Sequence, residues 1–271
     1  MTEFRVVVPW HREEEVHEFK QAWRIGDDVP HWLILQQDKD RSGCAVTKNR
    51  GVARALEEAD MENIVVVVLD GDCFPSKEVA TLSELAEAHI RALRPQPVRM
   101  FEAVTDPPSR GTPYEELDIM MPVAASMGYW LKVGDYCAPR QLTHGAMKPM
   151  EFKRETMFAR YFPLCGMNLA FRPMEWKPWC NFINVDRFDD IWQGWLWQHE
   201  AYRTGFCFNL NGPLITHSRQ SNVWSNLAAE AKHLEVNETL WREIAASGFC
   251  GVHEYENLRA LLPVPYREKP E

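Results

Sequence analysis

Two carboxylates stand where an apolar run ends: Asp70 and Asp72 flank Gly71 directly after Ile64-Val-Val-Val-Val-Leu69. Acidic side chains spaced i and i+2 beyond a strand can hold one divalent cation against a diphosphate, and Mg²⁺ and Mn²⁺ favour such oxygen ligands. A plain Asp-Gly-Asp turn is the alternative. Open α/β sheets bind ligands outside the carboxyl ends of their strands, which favours the site. Asp38, after Trp32-Leu-Ile-Leu-Gln-Gln37, stands in the same kind of place. It would accept bonds from a ribose or base, unless it only caps its own turn. Lys48-Asn49-Arg50-Gly51 opens a helical stretch, and cations with helix N-termini suit diphosphates, although solvated charge explains them equally. Asp189 and Asp190 begin another helix. The helix dipole partly accounts for them, but paired acids also suit a general base acting on a hydroxyl. His217 would complete an Asp/His metal site with Asp70 and Asp72 if the fold brings it beside Asp72. Pro9 and Arg12, after the first strand, join Gly71 among the candidate substrate contacts. Of the eleven tryptophans most belong to the core, and Trp192 is the candidate for stacking on a sugar or base.

The elements that must position these residues follow from periodicity. Phe4–Pro9, Trp32–Gln36 and Ile64–Leu69 read as strands, and the last, continuously β-branched, reads as a strand covered on both faces. His11–Arg24, Lys48–Ala59 and Ser76–Leu93 read as the intervening helices. Three βα units in a row imply a parallel sheet with right-handed crossovers. Prolines then break the chain, so Arg94–Glu116 reads as loops around a short strand and Ile119–Val133 as further strands. Trp176–Asn184 is irregular. Asp189–Tyr202 and Glu230–Ala246 read as helices, Phe206–Leu210 and Leu214–Thr216 as short strands. The expectation is one α/β domain over 1–262, with a mixed, mostly parallel sheet flanked by helices and a polar tail over 263–271.

Composition narrows the function. With 271 residues, 45% of them hydrophobic, the chain can bury a substantial core. A net charge of −9 argues against broad binding to nucleic acid. The segment Lys148–Arg160, with Lys148, Lys153, Arg154 and Arg160, could still meet a polyanion, or be a solvated face. Seven scattered cysteines without a CxxC pair point to a reducing compartment rather than a disulfide framework or zinc site. With neither a signal pattern nor an apolar span, the expectation is a cytoplasmic protein with no membrane partner. A homo-oligomer is compatible with all of this.

Six segments together resemble one family, the reversibly glycosylated polypeptides or UDP-arabinopyranose mutases. They are LILQQD (Leu33–Asp38), LDGDCF (Leu69–Phe74), WLKVGDYCAPRQL (Trp130–Leu142), PLCGMNLAF (Pro163–Phe171), FDDIWQGW (Phe188–Trp195) and HSRQSNVWSNL (His217–Leu227). They occur in the family's order and span roughly residues 4–230. The resemblance implies a glycosyltransferase-A-like, Rossmann-like fold, a UDP-sugar donor and a divalent metal, Mn²⁺ or Mg²⁺. It implies metal and ribose-phosphate roles for Asp70 and Asp72, a nucleoside contact at Asp38 and a further metal ligand at His217. Asp189 and Asp190 become the acceptor-side acids, and Gly166 and Asn168 part of a backbone loop close to the sugar. The chain departs from the family in having Asp-Gly-Asp where plant members carry three consecutive acids. The stretch matching the family's self-glycosylated arginine, Thr143–Phe162, is shorter here, with Arg154 as its candidate.

The leading expectation is a metal-dependent transferase that moves a sugar, such as arabinose, from a UDP donor to an external hydroxyl. Asp189 or Asp190 would serve as base, and a hydroxymethylated DNA base stands as a candidate acceptor. The alternatives are a mutase interconverting UDP-arabinopyranose and UDP-arabinofuranose, and a non-catalytic UDP-sugar-binding subunit.

Overall fold

A strand of four valines flanked by isoleucine and leucine has no solvent-tolerant face, and β3 (Ile64–Leu69) is buried along its whole length. The structure is a computed structural model that describes residues 2–57, 59–100, 110, 118–144, 152–174, 181–185, 187–218 and 222–247. The proposed tail over 263–271 lies outside these residues. Around β3 the chain builds the expected first units: β1 (Glu3–Trp10), α1 (Glu13–Ala22), β2 (Leu33–Gln37) and α2 (Cys44–Leu56). β1 pairs in parallel with both β2 and β3.

The remaining elements are β4 (Cys73–Phe74), α3 (Leu82–Ala92), β5 (Gln96–Arg99), β6 (Asp118–Met121), β7 (Val123–Met127), β8 (Trp130–Lys132) and α4 (Ala138–His144). Then come β9 (Thr156–Met157), β10 (Asn168–Phe171), α5 (Asp189–Arg203), β11 (Cys207–Asn209), β12 (Ile215–His217) and α6 (Val223–Ser247). The main sheet has seven strands in the order β2-β1-β3-β10-β7-β11-β9. β10 runs antiparallel to both its neighbours and β9 is antiparallel to β11, so five strands share one direction. This is the mixed, mostly parallel α/β sheet of a glycosyltransferase-A-like domain, with helices against it.

Several elements differ from expectation, among them α6, which begins at Val223 rather than Glu230. α2 begins at Cys44, not Lys48. α3 begins after a capping box of Thr81 and Glu84 rather than at Ser76, because Thr81 Oγ1 accepts the Glu84 amide and Glu84 reaches back to the Thr81 amide. The central strand β10 was not foreseen.

The close seat of α2 on the sheet depends on Gly51, where a Cβ would lie 2.3 Å from Val7 Cγ1 in the fully buried core. Gly51→Ala is therefore expected to cost about 1–3 kcal/mol by overpacking. Urea unfolding checks this; an unchanged midpoint would show that Val7 yields freely.

A second, three-stranded sheet, β4-β12-β8, stands beside the first. It brings three distant stretches of chain to one place, pairing His217 with Cys73 on one side and Lys132 on the other. A smaller core of Trp192, Leu196, Leu240 and Ile244 joins α5 to α6. Among the described residues, no helix is long and apolar enough to cross a membrane.

Candidate functional site

The carboxyl ends of β1, β2 and β3 open into a cleft whose walls include Pro9, Trp10, Asp38, Thr47, Asp70 and Asp72. Gly71 lies so close to the strand end that a Cβ would come to 3.3 Å of the Pro9 carbonyl, which keeps the Asp-Gly-Asp turn tight against β1. The turn is also pinned from β10, since the Asp70 amide donates to the Met167 carbonyl at 3.0 Å.

Lys48 is the cation of this site, but not as a helix-start charge. It lies in the second turn of α2, is only 3% exposed and places Nζ 2.8 Å from Asp70 Oδ1. Burial alone would lower the lysine's pKa. The surrounding carboxylates Asp70, Asp189 and Asp190 outweigh it and hold the ammonium well above its ordinary range. Asp70 moves upward, chiefly through burial and then the charge of Asp72, with Lys48 opposing. The Lys48 ammonium also sits 5.2 Å from the centre of the Phe182 ring. Asn49 holds that ring in place: its side chain donates to the Phe182 carbonyl and accepts from the Phe182 amide, both at 2.9 Å. Asn49 is thus a positioning group here.

Asp72 and His217 meet as the small sheet requires, with Asp72 Oδ2 3.6 Å from His217 Nε2. His217 donates its Nδ1–H to the Val133 carbonyl at 3.1 Å, so Nε2 is the nitrogen that faces Asp72. A metal-binding histidine takes this arrangement, with its far nitrogen tied to a carbonyl. Burial pulls the His217 pKa down, but Asp72 and the Val133 carbonyl together carry it above its ordinary value.

Asp190 is fixed at the start of α5 by two backbone donors: Oδ2 accepts the Gly166 amide at 2.8 Å and Oδ1 the Ile191 amide at 2.9 Å. Gly166 cannot carry a side chain, since a Cβ would sit 2.7 Å from the Phe182 ring and 3.2 Å from Asp190 Cβ. Asp189 differs from its neighbour. Its Oδ2 is buried with no hydrogen-bond partner among the described residues. Burial, then the charge of Asp190, pushes its carboxyl up to about 7. Phe188, just before the pair, adopts a left-handed backbone (φ 63°) and stacks on Trp192. That conformation costs a non-glycine residue about 1–2 kcal/mol.

Other candidates fall elsewhere. Trp192 is fully buried, with Nε1 donating to Asn237 at 3.0 Å, so it belongs to the α5–α6 core and has no face for a ligand. Asn168 is fully buried and its amide is engaged on both sides by protein groups, so only its backbone belongs to the loop beside the acids. Arg12 turns to Glu15, with Nη2 2.8 Å from Oε1, and caps α1. Asp38 lines the cleft, but Oδ1 accepts from Ser42 N and Oγ, and Oδ2 from Gly43 N. The turn-capping alternative is therefore real, and it orients the carboxylate. Arg154 is held by both oxygens of Glu78, at 2.8 and 3.3 Å. The basic segment is described only from residue 152, and within it Arg154 and Arg160 pair with Glu78 and Glu155. Lys148 lies outside the described residues.

Two further residues bear on the site and escaped the sequence reading. Trp10 ends β1 and lines the cleft. Asp135 follows β8, feels the charges of Asp190 and Asp70, and accepts the Cys165 thiol at 3.7 Å. Crowding by protein, then Asp190, raises the Asp135 carboxyl to about 6. Its surface is nonetheless exposed, and solvent there screens the effect. The signal for Asp135 was the one used for Asp38, an acid just beyond a short strand.

Strand-end carboxylates, a buried lysine and an acid pair at a helix start, all on a mixed sheet, define a glycosyltransferase-A-like domain with a polar ligand cleft. The chain belongs to the reversibly glycosylated polypeptide family, whose sequence profile matches residues 60–245. It is 33% identical over 201 residues to probable UDP-arabinopyranose mutase 1 of Pisum sativum, covering 66% of this chain and 52% of the relative. It is 31% identical over 223 residues to probable UDP-arabinopyranose mutase 4 of Arabidopsis thaliana, with 74% and 59% covered. UDP-arabinopyranose mutase 3 of the same plant is 32% identical over 209 residues, with 69% and 55% covered. The chain thus spans about half the length of the curated relatives it matches. These relatives overturn the expectation of a transferase acting on an external hydroxyl, a DNA base included, because each is named for a mutase.

Proposed function

We propose that this chain is a UDP-sugar mutase, the activity for which its relatives, the UDP-arabinopyranose mutases, are named, and that it interconverts UDP-arabinopyranose and UDP-arabinofuranose. The observation that supports it is the acid pair Asp189–Asp190, one member pinned by backbone donors and the other poised near neutrality. Ring contraction exchanges the C1–O5 bond for a C1–O4 bond and moves one proton from the 4-hydroxyl to O5. The atoms balance without an external acceptor or an oxidant. A group that both takes and gives a proton at working pH suits this step, and Asp189 fills that role. Asp190, an acceptor of two N–H groups, orients the sugar hydroxyls.

The diphosphate lies at the strand ends, where Lys48 holds Asp70 and where Asp72 and His217 offer an oxygen and a nitrogen to one divalent cation. Among the described residues, no three acidic, histidine or cysteine side chains converge to hold an ion by themselves. Mg²⁺ or Mn²⁺ would have to complete its shell with phosphate oxygens and water. A cation held there would offset the charge of the diphosphate. Asp70 is oriented by Lys48, and Asp38 with the Trp10 face forms the nucleoside end. A cytoplasmic setting, where thiols stay reduced, suits the free cysteines 44, 73, 137, 165 and 207.

The test is chromatography of UDP-arabinofuranose after incubation with the protein and Mn²⁺, with no acceptor added. Formation of UDP-arabinopyranose is expected. UDP binding without any isomerisation would refute the mutase reading and leave a sugar-nucleotide-binding protein.

A further inference from the structure

One four-residue stretch, Cys165–Asn168, touches three acidic residues of the site, Asp190 and Asp135 through their carboxylates and Asp70 through its backbone amide. Gly166 N–H donates to Asp190 Oδ2 at 2.8 Å. The Met167 carbonyl receives the Asp70 amide at 3.0 Å. The Cys165 thiol reaches Asp135 Oδ2 at 3.7 Å. The end of the stretch is anchored away from the cleft. Asn168, Ser126 and His89 are all fully buried, and they come from β10, β7 and α3. His89 contacts Asn168 Oδ1 through Nε2 at 2.9 Å and Ser126 Oγ through Nδ1 at 3.0 Å. Asn168 Nδ2 donates to the Pro213 carbonyl at 2.8 Å, which fixes the amide's orientation. Nε2 must therefore carry the proton, and Nδ1 accepts from the serine hydroxyl. Gly128 leaves the space this needs, since a Cβ there would lie 2.2 Å from Asn168 Nδ2.

A buried polar network is costly when one member loses its partner. None of these groups sees solvent, and nothing in the mutase chemistry uses them. We propose that His89 is a positioning residue: through its single Nε2–H bond to Asn168 it sets the Cys165–Asn168 stretch, and through Gly166 the placement of Asp190. Burial supports a neutral ring, lowering the His89 pKa to about 4, so this donor–acceptor pattern persists throughout the neutral range.

Two substitutions of similar polarity separate positioning from packing. In His89→Gln the amide nitrogen falls where Nε2 was and restores the donor to Asn168. In His89→Asn the shorter amide reaches only toward Ser126. Amide hydrogen exchange at Gly166 reads the stretch directly and needs no turnover. His89→Asn is expected to speed that exchange about tenfold, and His89→Gln to leave it near the wild-type rate. On the mutase reading, on which the kinetic arm rests, His89→Asn also lowers kcat by about 10–100-fold at unchanged KM, and His89→Gln restores it. If the wild-type protein shows no isomerisation, the mutase reading fails alone and the exchange result still decides this proposal. Equal effects of the two substitutions, or unchanged Gly166 protection in His89→Asn, would overturn it. Should neither variant fold, Ser126→Ala removes only the hydroxyl that donates to Nδ1 and so loosens the ring on the side away from Asn168. Faster Gly166 exchange is expected there too, and an unchanged rate would overturn the proposal.

Discussion

Asp190→Asn is expected to lower kcat by about 10³-fold while leaving the affinity for UDP within a factor of about two. The asparagine oxygen can still accept the Gly166 amide, and the backbone around it is set by Phe182 and by the start of α5. What disappears is the negative charge and the second acceptor oxygen, the one that takes the Ile191 amide. On the proposed reading UDP binds at the strand ends instead, where Asp38, Asp70 and Lys48 are untouched. Steady-state kinetics with UDP-arabinofuranose, set beside calorimetric titration with UDP, separates the two effects. Turnover that survives the substitution would remove Asp190 from the chemistry. Lost UDP affinity would instead mean that the acid pair serves nucleotide binding.

Asp189→Asn should do the opposite to stability and activity: a more stable protein that turns over poorly. The folded Asp189 carboxyl titrates at about 7 against an ordinary value of 3.8. Between those two values the folded protein retains a proton that the unfolded chain has released, so stability falls as pH rises through that window and levels off above it. An asparagine has no such proton and escapes the loss. The raised value amounts to roughly 1–2 kcal/mol after allowance for partial exposure and for the coupling to Asp190. The lost first-turn charge takes back a few tenths of that. The variant should therefore melt a few degrees above wild type at pH 8, with the gain shrinking towards pH 5. A gain equal at both pH values would point to packing, and no gain at pH 8 would show that the carboxyl is not destabilising. Sites that hold a group against its preference commonly trade stability for activity in this way.

How far the sequence reached depended on the physics behind each signal. β3 was read to the residue because six β-branched and aliphatic residues in a row have no other home than a covered strand. The same certainty placed Asp70 and Asp72 at a strand end. β10 was missed although its residues had been singled out, because Asn-Leu-Ala-Phe is too short to show alternation. Its centre-of-sheet position comes from antiparallel partners distant in sequence. Lys48 was placed at a helix start because Gly43-Cys44-Ala45-Val46 carries no capping side chain to mark the true one. By contrast, the Thr81–Glu84 capping box was legible and would have corrected the start of α3. Trp192 shows a harder limit. Spacing along a helix assigns a face but not what that face meets, and α6 claims it. His217 was found only as a conditional, since the register that seats it beside Cys73 is not local information.

That register bears on how the molecule comes into being. Asp72 and His217 are the proposed halves of one cation site, and their meeting requires β12 to slot between β4 and β8. Loop closure over such a separation is slow and comes late in folding. During synthesis the first three strands and their acids can assemble early, because their contacts are between chain neighbours. The nitrogen ligand arrives only with the last strand. A nascent or C-terminally shortened chain would thus own a sugar-nucleotide cleft with an incomplete metal clasp, and metal affinity becomes a readout of whether the final third of the chain has docked.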